Sequence, residues 1–234
     1  LDDILIGAPE SNSPGAGSRS GQAYVVFGKT DTNTVYLSAV AAGTGGFALY
    51  SNVTSQFLGW DVSPVGDMNG DGLADLLVAG FFNAGAGTYY SGTSYLIYGK
   101  SDGAAVWTSA LGNYGFAIAG PNVLGGPGTG SRDGFGSSVD SAGDVNGDGI
   151  PDLVLYATAA GNAYVMYGKT NNNTVYASDM AAGNGGFAMT GLTPNIGVVG
   201  RVAGGGDLNG DGYDDVIISD PGISTNTGRM YVVY

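Results

Sequence analysis

The chain has 234 residues, of which 43% are hydrophobic and 12% charged, enough for a domain with its own apolar core. Its formal net charge of −13 leaves no basic face for nucleic acid. Histidine and cysteine are absent, which excludes disulfides, thiolate or imidazole metal sites and His-dependent catalysis. Glycine supplies 45 residues, and every acidic residue except Glu10 is aspartate. Both residue types form turns, and aspartate is also a ligand of hard cations.

The sequence repeats itself from its first residues. Residues 1–9 (LDDILIGAP) match the second half of three later segments, GDMNGDGLADLLVAG (66–80), GDVNGDGIPDLVLYA (143–157) and GDLNGDGYDDVIISD (206–220). A strand-like segment, GQAYVVFGK (21–29), returns from residues 92, 161 and 228, and GFALYS (46–51) returns from 115 and 186. The shared aspartates Asp3, Asp75, Asp152 and Asp215 are 72, 77 and 63 residues apart. A unit of this length suits a propeller blade and is too long for a solenoid coil.

Four strands are predicted for each complete unit, in a fixed order. An inner strand leads into an Asp loop, then come a buried apolar strand (DLLVAG), an aromatic-flanked strand (YLIY) and a weaker outer strand near TVYLS to GFAL. No segment shows helical periodicity. The sequence therefore predicts an all-β fold, a β-propeller of four-stranded blades.

About three and a half blades are predicted, in units 1–58, 59–135, 136–198 and 199–234. The first unit lacks its inner strand and the last lacks its outer strand, giving fourteen strands in all. Propellers close with about four to eight blades. We therefore expect a partial propeller, either a piece of a longer chain or a ring completed by several chains.

Oxygen-bearing residues alternate along the three complete Asp loops, which share the pattern D-x-N-G-D-G-x-x-D. Oxygens at alternate positions of a tight loop converge on one point, and calcium accepts about six to eight oxygens at irregular angles. Close carboxylates also raise one another's pKa unless a cation lies between them. The sequence therefore predicts three Ca²⁺ sites, with a backbone carbonyl contributed by position seven. The predicted ligands are Asp67, Asn69, Asp71, Leu73 and Asp75; Asp144, Asn146, Asp148, Ile150 and Asp152; and Asp207, Asn209, Asp211, Tyr213 and Asp215.

Two other interpretations of the loop fit less well. An EF-hand needs a bidentate Glu at position 12 between two helices, but Val78, Leu155 and Ile218 stand there among predicted strands. Plain Asx turns, with Asp acting only as a turn former, would not require the same four side-chain ligands in three copies. The Asx turn is the alternative that remains.

The Asp loop, the apolar strand after it and the Gly7-Ala8-Pro9 ending resemble FG-GAP repeats. These are the calcium-binding blades of the integrin α-subunit propeller and of many bacterial extracellular proteins. The Phe-Gly pair is present as Phe135-Gly136, with Leu58-Gly59 as a variant, whereas the last unit has Val199-Gly200. The YVVFGK strand resembles the bacterial branch. The resemblance implies a structural calcium ion between the first two strands of each blade.

A non-enzymatic extracellular module, stabilised by calcium and used for adhesion, protein interaction or structural assembly, is the predicted function. Weak calcium sites suit a calcium-rich exterior, so an extracellular or cell-surface location and a bacterial source are expected. The expected partners are another protein or a second copy joined through blade edges, with carbohydrate as a further possibility and no nucleic acid. No apolar run is long enough to span a membrane.

A carbohydrate-binding, lectin-like propeller is the alternative function. Trp60 has no aromatic counterpart in the other units, so it is a candidate for sugar stacking, although core filling competes with that role. The insertion at residues 121–134 is a candidate ligand-facing loop. An enzyme is not supported, because no histidine is present and every recurring carboxylate is assigned to metal.

Overall fold

A computed structural model describes residues 1–81, 91–121, 133–194, 199–222 and 227–234 of the chain. In chain order, its strands are β1 (Ile4–Ala8), β2 (Gln22–Val26), β3 (Gly46–Tyr50), β4 (Leu58–Gly66), β5 (Asp75–Gly80), β6 (Thr93–Ile97), β7 (Val106–Trp107), β8 (Gly115–Ala119), β9 (Phe135–Gly143), β10 (Asp152–Ala157), β11 (Asn162–Met166), β12 (Val175–Tyr176), β13 (Gly186–Thr190), β14 (Arg201–Gly206), β15 (Asp215–Asp220) and β16 (Arg229–Val233). Two short helices, α1 (Leu37–Ala41) and α2 (Ala177–Ala181), lie between them. No helix among the described residues has the length and apolar character needed to cross a membrane.

The strands form four consecutive sheets in the described part of the chain. Antiparallel neighbours run β1-β2-β3 in the first sheet, β4-β5-β6-β8 in the second, β9-β10-β11-β13 in the third and β14-β15-β16 in the fourth. This arrangement confirms the all-β class and the four-strand antiparallel units expected from the repeats. The described strands close no ring, as a partial propeller requires.

The core lies between sheets rather than within one of them. Strands β5 and β10 are buried along their whole length, because each has a neighbouring sheet against both of its faces. Side chains alternate along β5, so that Leu77 packs toward the third sheet while Leu76 and Val78 pack toward the first. Strand β10 divides in the same way between the second and fourth sheets. This two-sided burial explains why both segments are continuous apolar runs instead of alternating patterns.

Adjacent sheets are also joined at their outer edges, which the sequence did not predict. The two-residue strands β7 and β12 pair in parallel with the outer strand of the preceding sheet, β3 and β8 respectively. The TVYLS-type segment was expected to start the outer strand of its own unit, and that expectation was wrong. In the third unit the segment forms β12 followed by α2, whereas in the first unit it forms only α1 and in the second unit only β7. Five-residue helices are too short to produce a readable period.

The lysines that follow the aromatic strands of the second and third sheets contact the sheet before their own. Lys100 of the second sheet lies 5.0 Å from the ring centroid of Phe47 in the first, and Lys169 of the third lies 3.8 Å from that of Phe116 in the second. Lys169 also donates a hydrogen bond to the carbonyl oxygen of Asn171 (2.9 Å). Burial lowers the pKa of Lys169 to about 8. The repeated Gly-Lys pair therefore has a packing role between units.

The Phe-Gly pair marks the point where one unit meets the next. Gly59 and Gly136 have φ values of +84° and +80°, a region that side chains with a β-carbon rarely adopt. A β-carbon on Gly59 would also lie 2.3 Å from the carbonyl oxygen of Gln22 in the preceding unit. Glycine is needed at this position because the inner strand begins in close contact with its neighbour.

Candidate metal centre

The three complete Asp loops occupy the same place in three adjacent sheets. Each connects the inner strand to the buried second strand: β4 to β5, β9 to β10 and β14 to β15. The inner strands contact one another in turn, β4 against β9 and β9 against β14. The structure therefore places all fifteen predicted ligand residues in three equivalent loops at the same junction of their units.

The first aspartate of each loop closes the loop with its own carboxylate. In the second unit, Asp67 Oδ1 accepts hydrogen bonds from the N–H groups of Gly70 (2.8 Å) and Asp71 (3.0 Å), and Oδ2 accepts one from Gly72 (2.7 Å). The same three bonds, at 2.6–3.1 Å, recur in the other two loops. Glycine stands at positions four and six because φ there is between +75° and +95°.

The third and fifth residues are bonded to each other. Asn69 Oδ1 accepts the N–H of Asp71 (2.9 Å), and Asn69 Nδ2 donates to Asp71 Oδ2 (2.9 Å). Asp71 Oδ1 in turn accepts the N–H of Leu73 (2.8 Å). These bonds also recur in both other loops. The Asx turns that the sequence left as an alternative are therefore present, and they are compatible with a cation as well as with its absence.

The ninth residue of the loop is a buried carboxylate that joins three strands. Asp75 Oδ2 accepts the N–H of Met68 at the start of the loop, and Oδ1 accepts the N–H of Gly99 beyond the third strand, both at 2.9 Å. Asp152 makes the equivalent bonds with Val145 (2.9 Å) and Gly168 (2.6 Å). The glycine of the repeated Gly-Lys pair is thus a functional partner that sequence reasoning missed. Its recurrence directly after three aromatic strands, as Gly28, Gly99 and Gly168, was the signal that could have identified it.

The protonation of these buried carboxylates differs from that of ordinary aspartates. The pKa of Asp75 and of Asp152 is raised to about 6: burial is the main cause, the two amide hydrogen bonds lower the pKa, and the charges of the nearby loop aspartates add a smaller increase. Neither side chain has any exposed surface. A cation beside such a group favours its ionised form, so the electrostatics of the loop suit a bound positive charge.

The fourth unit leaves one oxygen of this arrangement without a partner. Asp215 Oδ2 accepts the N–H of Leu208 (2.7 Å), but Oδ1 is buried and has no hydrogen bond among the described residues. In the first unit the corresponding aspartate, Asp3, is exposed and accepts the N–H of Gly28 (2.8 Å).

The donor set of each loop fits a hard cation. Carboxylate, amide and carbonyl oxygens at alternate positions are the ligands that calcium prefers. As the side chains are placed, no three acidic groups among the described residues lie close enough together to hold an ion. The three calcium sites therefore stay a prediction, which the chemistry of the donor atoms supports and the positions of the side chains do not.

Trp60 lies at the start of the inner strand β4, away from the Asp loop. Its ring stacks on Phe81 with centroids 4.5 Å apart and planes 19° from parallel, and Phe57 meets it edge-on at 6.4 Å. The side chain remains 38% exposed, so it is only partly used as packing. Most of the candidate ligand-facing insertion, residues 122–132, lies outside the described part of the chain.

Comparison with known proteins identifies the repeats. The FG-GAP repeat family model matches residues 135–177 and 199–233, and each of these stretches contains an Asp loop. Integrin alpha pat-2 of Caenorhabditis elegans is 33% identical over 111 residues, which cover 47% of this chain and 8% of that protein. Integrin alpha-PS5 of Drosophila melanogaster is 29% identical over 165 residues, covering 67% of this chain and 14% of that protein. The chain thus spans only a small part of the length of these relatives. Two stretches of the chain match the FG-GAP repeat model, and part of the chain is similar to a segment of integrin alpha chains.

Proposed function

We propose that this chain is a non-enzymatic, calcium-stabilised β-propeller module that serves adhesion, protein interaction or structural assembly outside the cell. The observation that carries the proposal is the threefold repetition of one Asp loop, with the same hydrogen bonds, in three adjacent sheets. The two FG-GAP matches and the similarity to integrin alpha chains favour an interaction role over catalysis. Fold alone does not determine function, so the proposal is tested by removing calcium and by substituting aspartates of the loops.

Calcium would be held by the alternating residues of each loop, and it would supply positive charge where aspartates crowd together. Three ions would change the formal net charge from −13 to −7. The loop residues themselves connect the inner strand, the second strand and the end of the third strand through Asp75 or Asp152. Neutralising these carboxylates would therefore stabilise the contacts among three strands at once.

An extracellular location follows from the affinity expected of such loops. Calcium sites in extracellular modules commonly have dissociation constants of about 10⁻⁴–10⁻³ M. At millimolar calcium, each site would then stabilise the fold by about 0.4–1.4 kcal/mol. Such sites would be filled outside a cell and largely empty in the cytosol. The YVVFGK-type strand supports a bacterial origin by its resemblance alone.

Thermal unfolding in millimolar calcium and in chelator tests the proposal. We expect calcium to raise the Tm by roughly 3–15 °C, because three sites together contribute about 1–4 kcal/mol. The variant with Asp71→Ala, Asp148→Ala and Asp211→Ala is the matched control. It removes an exposed ligand from each loop and leaves the loop-closing and buried aspartates in place. Equal Tm values for the natural chain in calcium and in chelator would contradict the structural role of calcium.

The partner is proposed to be another protein or a second copy of this chain, bound through the edges of the end sheets. Among the described residues, β1 pairs only with β2, and β16 pairs only with β15. Ile4 and Met230, on these two strands, are 60% and 70% exposed. Unpaired, apolar strand edges favour pairing with another chain. Light scattering on the same samples would show a defined multiple of the chain mass if copies associate.

Carbohydrate binding is the second candidate function, and the exposed Trp60 is the observation that favours it. Its ring is held parallel to Phe81 on a rigid strand, which leaves a partly exposed aromatic surface. We expect Trp60→Ala to abolish binding on a glycan array if this function is correct, while Tyr36→Ala, another exposed aromatic, leaves binding intact. No glycan bound by the natural chain, or equal binding by both variants, would contradict this alternative.

A further inference from the structure

The Asp loops of the third and fourth units are hydrogen-bonded to each other. Asp144 donates its N–H to Asp214 Oδ2 (2.8 Å), and Asp214 donates its own N–H to the carbonyl oxygen of Asp144 (3.1 Å). The approach is close, because a β-carbon on Gly143 would lie 2.0 Å from Asp214 Oδ2. These are direct contacts between units, made by residues 70 positions apart in the sequence.

The bonded residues belong to the two predicted calcium sites. Asp144 is the first donor of the third loop, whereas Asp214 lies between Tyr213 and Asp215, the seventh and ninth donors of the fourth loop. The ring of Tyr213 also lies against the third loop, where a β-carbon on Gly147 would be 2.6 Å from its Cε1. Any change that fixes Asp144 in place therefore also restrains two donors of the neighbouring loop.

The junction between the second and third loops lacks this connection. Pro151 stands at the position that Asp214 occupies in its own loop, and its ring packs near Gly66, the counterpart of Gly143. Proline has no N–H and no acceptor in its side chain, so neither of the two hydrogen bonds can form there. The molecule thus contains one bonded and one non-bonded junction of otherwise equivalent loops.

We propose that Asp214 couples calcium binding in the third loop to calcium binding in the fourth, while the second loop fills independently. This inference rests on the proposed calcium function. The first ion orders Asp144 together with residues 213–215 through the two hydrogen bonds, so the second ion binds to a loop whose ordering is already partly complete. Because coupling free energies are reciprocal, filling either loop raises the affinity of the other by the same factor.

Calcium titration by calorimetry tests the coupling, with calcium alone as the probe. An Asp71→Ala background disables the second loop and leaves two sites to be resolved. In this background we expect the second binding constant to exceed its statistical value by about fivefold or more. Asp214→Ala removes the side-chain hydrogen bond but keeps the backbone one, so it should reduce that excess. Asp214→Asn keeps an acceptor oxygen and should retain most of the excess in the second binding constant. A merely structural role of Asp214 would not predict this difference between the Asn and Ala variants. Pro151→Ala at the non-bonded junction is the matched control and should leave the excess unchanged.

Asp214→Pro provides a second variant if Asp214→Ala folds poorly. It removes both hydrogen bonds, and Pro151 shows that the loop accepts proline at this position. Two sites that fill independently in the Asp71→Ala background, or an excess that is not reduced in Asp214→Ala and survives in Asp214→Pro, would overturn the coupling and leave the calcium function intact. Absence of any calcium binding by the natural chain would overturn both.

Discussion

Replacing Asp152 by alanine should lower the free energy of unfolding by about 2–4 kcal/mol, measured by equilibrium unfolding in urea at neutral pH. The carboxylate has no exposed surface and accepts hydrogen bonds from Val145 N–H (2.9 Å) and Gly168 N–H (2.6 Å). Its removal leaves both amides without their acceptor and opens a space between the loop and the third strand. Each buried amide left without an acceptor costs about 1–3 kcal/mol. The variant also no longer buries a carboxylate, and this gain offsets part of the loss.

Asp3→Ala is the matched control for this variant. Asp3 holds the equivalent place in the first unit, but it is exposed and accepts a single bond, from Gly28 N–H (2.8 Å). Water can replace that bond, so we expect a loss below about 1 kcal/mol. Similar losses for the two variants would show that the buried bridge from the loop to the third strand does not stabilise the fold.

The contrast between Asp3 and Asp152 shows what the repeats could predict. Aligning the units placed both residues at one position of one motif, and the structure puts both at the start of a second strand with a bond to the glycine after the third. Asp152 is buried because a complete Asp loop and a neighbouring sheet cover it, and Asp3 has no complete loop before it. A local motif carries no information about this surrounding structure. Alignment therefore predicted the position of each residue in its unit, whereas the bond to the third strand and the energetics depend on tertiary packing.

The order of strands could be predicted because each unit carries strong local signals. Strands β5 and β10 are apolar runs next to glycine-rich turns, and the Asp loops fix the strand before them. Strand β7 could not be predicted, because Val106 and Trp107 pair with Leu49 and Tyr50 of another unit. Helix α1 was missed for a related reason. Among its five residues only Val40 is buried, so it carries no periodic pattern.

The candidate site was predicted residue by residue from spacing alone, yet spacing could not reveal how its parts interact. The three loops have the same internal bonds, as their shared pattern suggested. The contact of Asp214 with Asp144 depends on one variable position, where Ala74, Pro151 and Asp214 stand in the three loops. A consensus treats such a position as unimportant, although here it decides whether two loops are bonded.

In calcium-free solution, the free energy of unfolding should fall as the pH rises from about 4 to about 7. Burial raises the pKa of Asp75, Asp133 and Asp152 to about 6, whereas the ordinary value of 3.8 applies to the unfolded chain. Between these values the folded chain binds more protons than the unfolded chain, so stability decreases with pH. Each carboxylate should contribute a loss on the order of 2–3 kcal/mol. Urea unfolding in chelator at several pH values measures the slope.

Calcium should change the pH dependence contributed by two of these three carboxylates and leave the third unchanged, because only two of them belong to the predicted sites. Asp75 and Asp152 are ninth-position ligands, so a bound ion favours their ionised forms and removes their part of the slope. Asp133 lies outside the loops, with Oδ1 bonded to Phe135 N–H (3.1 Å) and Oδ2 buried without a hydrogen bond among the described residues. The decrease in unfolding free energy with pH that Asp133 contributes should persist in millimolar calcium and should disappear in the variant Asp133→Asn. Slopes that are the same in calcium and in chelator would contradict Asp75 and Asp152 as ligands, because a cation beside a carboxylate must lower its pKa.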